Sequence, residues 1–310
     1  MDSSISQTYK NTEILLIDDG STDDSSKIAS EFSRTHSNCY LERTENKGPG
    51  NARNIGLSMS KGELIVFIDS DDHMEPFMVQ KMVKALVGSR ATIVLCGFRL
   101  FNKEKSEISS KAWGCKEHII SGKRAIEAMY TGKIPVTVWA KIFRRDCLED
   151  LKFPTGMIYE DRPFMLAAFS QSEEVHYLDE VLLNVQKRAY SLTRSPLSDK
   201  KIKDLTDIYL LETSLALRLQ LKSVIPFIRL YHLSWLRRSF FTLQKQEKKI
   251  PATTSIRPVL LDHINQFSCE NFSKLPIKAK FLLCVLRLPK RIGWKNTRKL
   301  MNMLYPAQSL

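Results

Sequence analysis

Ile14-Leu15-Leu16-Ile17-Asp18-Asp19-Gly20-Ser21 and Leu64-Ile65-Val66-Phe67-Ile68-Asp69-Ser70-Asp71-Asp72 are two apolar runs that end alike, in carboxylates. Each run is short, rich in aliphatic residues and closed by turn-forming residues, the pattern of a buried strand. Helix-like stretches follow both, Lys27–Phe32 and Pro76–Val87, and a third apolar run spans Ile93–Phe98. This alternation predicts an α/β domain with a mainly parallel sheet. In such sheets ligands bind beyond the carboxyl ends of the strands, so both acidic clusters are expected on one edge, facing one ligand.

Working outward, the rhythm breaks after Thr131. Val136–Phe143 reads as a strand-like run containing Trp139, Arg162–Ser170 as a short helix and Val175–Val185 as a hairpin, together covering the acidic edge. From Asp199 onward the pattern is helical, punctuated by Pro226, Pro251, Pro258, Pro276 and Pro289, which predicts four or five helices. A boundary near Ser191–Asp199 is expected, giving a domain over 1–195 and a helical region over 196–310.

Charge marks the same boundary. Of the net +13, residues 200–310 carry 21 Lys+Arg against 6 Asp+Glu, or +15, while residues 1–199 carry 26 against 28, or −2. A near-neutral front and a basic back point to a catalytic or binding domain followed by a region that meets an anionic surface, membrane or nucleic acid. Hydrophobic residues at 43% and charged residues at 26% of 310 exclude a disordered or fibrous chain. Cys39, Cys96, Cys115, Cys147, Cys269 and Cys284 form no CxxC pair, which argues against a zinc knuckle or a disulfide framework and fits a reducing compartment. No stretch reaches the roughly 18 apolar residues of a membrane span, and MDSSISQTYKN lacks a signal-peptide layout, so a cytoplasmic location is expected.

The acidic clusters admit three chemistries: a hard metal site, an acid/base site, or turn and capping duty. Asp19-Gly20-Ser21-Thr22-Asp23-Asp24 suits a turn and helix cap as well as a site. Asp69, Asp71 and Asp72 repel one another unless a cation or ligand neutralises them, and Mg²⁺ or Mn²⁺ bound through carboxylates and substrate phosphates would do so. Gly48-Pro49-Gly50-Asn51-Ala52-Arg53 is not a dinucleotide fingerprint, because Arg53 stands where the third glycine belongs. P-loop, GxSxG and HExxH motifs are absent, and His73, His118 and His176 match no metal spacing.

Read in order, Gln7-Thr8-Tyr9-Lys10-Asn11, Glu13 through Asp23, Asn46-Lys47-Gly48 with Ala52-Arg53-Asn54-Ile55-Gly56, and Gly62-Glu63 through Asp72 resemble glycosyltransferase family 2. The likeness continues through Trp139-Ala140-Lys141 and Tyr159-Glu160-Asp161 and fades near Ser191. It implies the GT-A fold, a Rossmann-like α/β domain, and an inverting, metal-dependent transfer of sugar from a nucleotide-diphosphate sugar, a UDP-sugar at family level. It also implies roles. Asp19 with Gly20 and Ser21, Asp69 and Arg53 belong to nucleotide binding, Asp71 with Asp72 to the Mn²⁺ or Mg²⁺ site, and Asp161 with Glu160 to catalysis, Asp161 as base. Trp139, Lys141 and Arg188 border the acceptor or the diphosphate. For Asp161 the residues alone leave a helix N-cap open, since Arg162-Pro163 suits a first helical turn. The processive signature QxxRW is absent, which favours addition of a single sugar to a glycan or lipid-linked acceptor in surface polysaccharide biosynthesis.

Family members begin with an apolar strand that this chain lacks; it starts within the first helix, at Met1–Ile5. A misplaced start codon is the first explanation, ahead of a decayed gene or a fragment completed by a partner, and two strand edges are expected to lie open. In the basic region, Phe227, Leu230, Tyr231, Trp235, Phe240 and Phe241 stand among Arg229, Arg237, Arg238 and Lys245. That mixture suits peripheral docking on an anionic membrane at the inner face of the cell membrane, or equally the packing of a small helical domain. The competing functions are a catalytically inactive nucleotide-sugar binder or partner subunit and a nucleic-acid-binding protein. Nucleic acid is not expected, because no recognised motif accompanies the charge.

Overall fold

The computed structural model describes residues 1–101, 107–111, 118–187, 196–247 and 256–271, with isolated positions beyond. The chain divides into two compact units, Met1–Ser191 and Leu192–Leu310.

The first unit opens with α1 (Asp2–Ile5), fastened by Gln7. The Gln7 Oε1 accepts the Val79 N–H at 3.0 Å, and Nε2 donates to the Ser3 and Glu75 carbonyls at 2.9 Å. Then come β1 (Ile14–Asp18), α2 (Ser25–Thr35), β2 (Cys39–Arg43) and α3 (Pro49–Met59). The strands β1 and β2 pair in parallel, from Ile14 opposite Cys39 to Asp18 opposite Arg43. The chain continues through β3 (Leu64–Val66), β4 (His73–Met74), α4 (Met78–Val87), β5 (Ile93–Phe101), β6 (Glu107–Lys111), β7 (Ile119–Ser121), α5 (Gly122–Tyr130), β8 (Lys141–Arg144), α6 (Asp161–Ser170) and β9 (Glu174–Gln186).

These strands build a second sheet in the order β3-β8-β5-β9-β4, with β6 on β5 and β7 on β9. In it β3, β5 and β9 share one direction, and β8 runs against them between β3 and β5. The α/β rhythm read from the sequence is therefore present, with β1 and β3 both ending at acidic turns. Ile93, Val94, Leu95 and Cys96 of β5 are fully buried, and α4 lays Met78, Val79, Met82 and Leu86 against the core at helical spacing.

Among the described residues β1 pairs only with β2, and β3 only with β8, so each keeps one open edge. Ile14 through Ile17 are accordingly only half-buried. The Glu13 carboxylate ties the start of β1 to the turn before β3, accepting the Gly62 N–H at 2.8 Å.

Two elements differ from expectation. The run 136–143 is a strand only over Lys141–Arg144, because residues 135–140 take an irregular course ending in a left-handed Ala140, φ 57°. The expected hairpin over 175–185 is one strand of 13 residues. Asp179 and Glu180 bulge out of it: its register with β5 steps from Cys96 opposite Leu178 to Gly97 opposite Val181.

The second unit contains α7 (Asp199–Arg218), α8 (Ile225–Glu247) and α9 (Ile256–Asn271), with Pro226 and Pro258 in first turns, where proline is tolerated. Its core includes Leu205, Ile228, Leu236, Phe240, Leu260 and Ile264. Trp235 and Phe240 are buried in the packing of these helices, whereas Leu230 is exposed and Phe227, Tyr231 and Phe241 are half-buried. The Nε2 atoms of His232 and His263 lie 2.9 Å apart, and the Thr206 hydroxyl bonds His263 Nδ1 at 2.9 Å.

Candidate active site

The site is assembled where β1, α3, β3 and the start of α6 meet. At the end of β1, Asp18 is buried; its Oδ1 accepts the Ser21 N–H at 2.9 Å, and Arg43 Nε stands 3.4 Å from Oδ2. Hydrogen bonds from Ser21 hold this carboxyl below its ordinary value against the opposing effect of burial. Asp19 turns the other way, accepting the Lys47 N–H at 2.9 Å and the Gly48 N–H at 2.8 Å on its two oxygens. The loop that opens α3 is thus laced to the end of β1. Gly20 sits between them with φ 69°, where a Cβ would lie 2.8 Å from the Asn46 nitrogen.

The helix α3 then reaches across to α6. Gly50 packs directly on the chain before α6, since a Cβ there would stand 2.3 Å from the Pro154 carbonyl oxygen. Asn54 clips the same segment by two bonds, Nδ2 to the Phe153 carbonyl at 2.9 Å and the Phe153 N–H to Oδ1 at 2.8 Å. The Phe153 ring stacks on Phe164 at 3.7 Å, meets Phe67 edge-on at 5.4 Å, and supports the Arg53 guanidinium at 5.6 Å.

Arg53 was expected at the nucleotide; the structure places it on three carboxylates. Its Nη1 donates to Asp161 Oδ1 at 2.8 Å and to Glu160 Oε1, and its Nη2 to Asp69 Oδ1 at 3.0 Å. Burial works against charge on this guanidinium, but attraction from Asp161, Asp69 and Glu160 outweighs it and raises its pKa. The Asp161 carboxyl is pushed up to about 7, chiefly by burial and then by the Glu160 and Asp69 charges, against the opposing pull of Arg53. The capping alternative for Asp161 fails: it is the first residue of α6, and its carboxylate turns to Arg53. Tyr159, immediately before the pair, is left-handed at φ 73°, a strained conformation of the kind found at functional sites.

The acidic turn after β3 is divided. Asp69 and Asp71 are half-exposed, whereas Asp72 is buried with Oδ1 accepting the Gln186 N–H of β9 at 3.2 Å. Among the described residues no group of three or more His, Cys, Asp or Glu side chains encloses a metal ion.

Lys141 is not where the sequence reading put it. It is fully buried, with Nζ donating to the Pro135 and Thr137 carbonyls, and cannot touch an acceptor or a diphosphate from there. Trp139 is half-buried and edge-on to Phe98 at 4.7 Å. Arg188 lies outside the described residues. Two contributors were missed, Asp18 and Asn54. Both stand beside residues that had been singled out, and only which neighbour faces inward separates them.

Residues 1–152 match the family model described as glycosyl transferase family 2. The chain is similar to the glycosyltransferase GlyA of Streptococcus pneumoniae serotype 4, 33% identical over 202 residues, covering 63% of this chain and 29% of that protein. It is similar to the glycosyltransferase EpsJ of Bacillus subtilis, 29% identical over 205 residues, covering 63% and 58%. The cholesterol galactosyltransferase of Borreliella burgdorferi is 25% identical over 201 residues, covering 62% and 56%. The chain thus spans less than two thirds of the length of these relatives. In fold it resembles S. aureus TarS 1–349, solved in complex with UDP-GlcNAc, with a TM-score of 0.68 at 18% identity over 99% of this chain and 87% of that one.

Proposed function

Residues 1–152 belong to glycosyltransferase family 2, and from that premise we propose that the chain moves one sugar from a UDP-sugar to a glycan or lipid-linked acceptor in surface polysaccharide assembly, inverting the anomeric carbon. One observation carries the reading. A single guanidinium, Arg53, joins Asp69 at the donor end to Asp161 at the start of α6. The TarS structures with UDP-GlcNAc and UDP support the choice of nucleotide.

In this reading Asp19, Gly20, Ser21 and Asp69 hold the base and ribose. A carboxylate whose pKa lies near 7 suits a general base at neutral pH. Asp161 takes the proton of the acceptor hydroxyl as its oxygen bonds to the anomeric carbon, while the bond from that carbon to the diphosphate breaks and UDP leaves with the electron pair. The half-exposed Asp71 carboxylate fits a hard cation held by one or two protein oxygens plus phosphate and water, with Asp72 the second candidate ligand. Mn²⁺ or Mg²⁺ there would neutralise charge developing on the leaving diphosphate.

A second reading, a nucleotide-sugar binder or partner subunit without catalysis, is favoured by the open edges of β1 and β3. The +15 of residues 200–310 supports peripheral contact with an anionic membrane from the cytoplasmic side. No helix among the described residues is long and apolar enough to cross a membrane.

Calorimetric titration of the full chain with UDP, with and without Mn²⁺, tests the donor site. Metal-dependent binding that disappears in Asp71→Ala is expected, and a folded chain that binds no nucleoside diphosphate overturns the reading.

A further inference from the structure

Lys141, the first residue of β8, is 0% exposed, and its ammonium is satisfied by backbone carbonyls: Pro135 at 3.2 Å and Thr137 at 2.5 Å. Taking an ammonium out of water is costly, and an apolar side chain of similar volume would fill the space at lower cost. Burial accordingly pushes its pKa down to about 7, opposed by the nearby Asp161 charge. What the ammonium supplies and a hydrocarbon does not is a pair of bonds that fix the course of residues 135–140. That stretch is irregular and ends in the left-handed Ala140, whose carbonyl accepts the Cys96 N–H of β5 at 3.0 Å. It carries the Val138 N–H, which favours the ionised form of Asp161, and Trp139, packed on Phe98.

We propose that Lys141 is a positioning residue: its ammonium braces the 135–140 segment from inside, keeping the Val138 N–H opposite Asp161 and the Trp139 ring on Phe98. The inference rests on the reading of Asp161 as the base. It assigns Lys141 no contact with substrate; its effect passes through the segment.

The test uses the full chain as wild type, Lys141→Met, Asp161→Asn and the double variant, with UDP-GlcNAc as probe donor and UDP release as readout. Lys141→Met is expected to bind UDP within about twofold of wild type by calorimetry. Its kcat for UDP release falls at least tenfold, with KM for UDP-GlcNAc changed less than threefold. In the Asp161→Asn background the same change slows release no further, because the brace acts through Asp161. Trp139 emission, taken as the difference between each chain and its Trp139→Phe counterpart, shifts to the red. Lys141→Arg, which keeps a donor for the two carbonyls, is expected to recover at least half of the lost kcat, and Lys141→Leu, which also lacks the donor, replaces Lys141→Met in every comparison if that variant does not fold. Unchanged release and unchanged Trp139 emission in Lys141→Met overturn the proposal, as does an equal further loss in the Asp161→Asn background. If the wild type binds UDP but turns over no donor, the catalytic reading fails and Trp139 emission decides the brace: a red shift upholds it and no shift overturns it.

Discussion

Arg53 Nη1 and Asp161 Oδ1 meet at 2.8 Å across 108 residues of sequence, joining the middle of α3 to the first residue of α6. The same guanidinium holds Glu160 and Asp69, so one cation serves three carboxylates. In such a cluster the Asp161 carboxyl is the one pushed up, by its burial first and then by the Glu160 and Asp69 charges. Asp69 after β3 and Asp161 at the start of α6 are thereby linked through a single side chain.

Asp161→Asn keeps the shape and removes the carboxylate proposed as the base. UDP release should fall by about 10²–10⁴, the usual worth of general-base catalysis, while UDP affinity in calorimetry stays within a few-fold of wild type. In wild type, release should rise with pH through about 7, as Asp161 loses its proton. A flat profile from pH 5.5 to 8.5 would remove Asp161 from the proton transfer.

The same carboxyl makes a stability prediction. Its folded pKa, about 7, lies above the ordinary 3.8, so between these values the folded chain holds a proton that the unfolded chain has released. Stability of the first unit should therefore decline as pH rises from about 4 to 7 by this contribution. Asp161→Asn should flatten that part of the curve, read as Tm against pH.

Arg53→Met leaves Glu160, Asp161 and Asp69 facing one another without a cation. Breaking a buried pair by removing one partner costs about 3–5 kcal/mol, and the half-exposed Asp69 moderates that here. Denaturant unfolding at pH 8 should show the loss. At pH 5 it should shrink, because a protonated Asp161 no longer repels its two neighbours. Equal losses at both pH values would mean that Arg53 contributes packing on Phe153 and little charge.

How far the sequence reveals this site depends on which signals are local. The strands ending at Asp18 and near Asp69, the α/β rhythm and the helix from Asp161 follow from short apolar runs and their flanking residues. The paired carboxylates at 160–161 were visible in the sequence, and so was Arg53, expected there at the nucleotide. Its partners were not, since a bond across 108 residues leaves no trace in spacing. Lys141 was expected at the acceptor or the diphosphate by resemblance alone, and nothing in its spacing shows that its bonds turn inward to carbonyls. The hairpin expected over Val175–Val185 is a strand with a bulge at Asp179-Glu180, and a bulge and a hairpin turn draw on the same polar residues.

Gly50 is a third point of control. A Cβ there would meet the Pro154 carbonyl oxygen at 2.3 Å and the Glu160 Cγ at 3.3 Å. Gly50→Ala must push α3 away from the start of α6, with a cost of about 1–3 kcal/mol for overpacking. The expected result is a lowered Tm together with UDP release reduced more than tenfold, because the Arg53 bonds to Glu160 and Asp161 cross this contact. A fall in Tm with kcat unchanged would show that the two helices can separate without disturbing the carboxylates.

The second unit makes its own prediction at low pH. His263 on α9 is bonded to Thr206 of α7 and to His232 of α8, and burial holds its pKa down to about 4 against an ordinary 6.5. The folded unit keeps this imidazole neutral while the unfolded chain takes up a proton below 6.5. Its contribution is therefore complete above pH 6.5 and is lost as pH falls toward 4. Two facing Nε2 atoms share one proton, so protonating both rings would place like charges 2.9 Å apart in a buried site. Emission from the buried Trp235 should report unfolding of these helices at lower temperature at pH 5 than at pH 7.5. In His263→Gln, which keeps a hydrogen-bonding group without titrating, that difference should narrow. An undiminished pH dependence in this variant would assign the acid sensitivity of the helices to other groups.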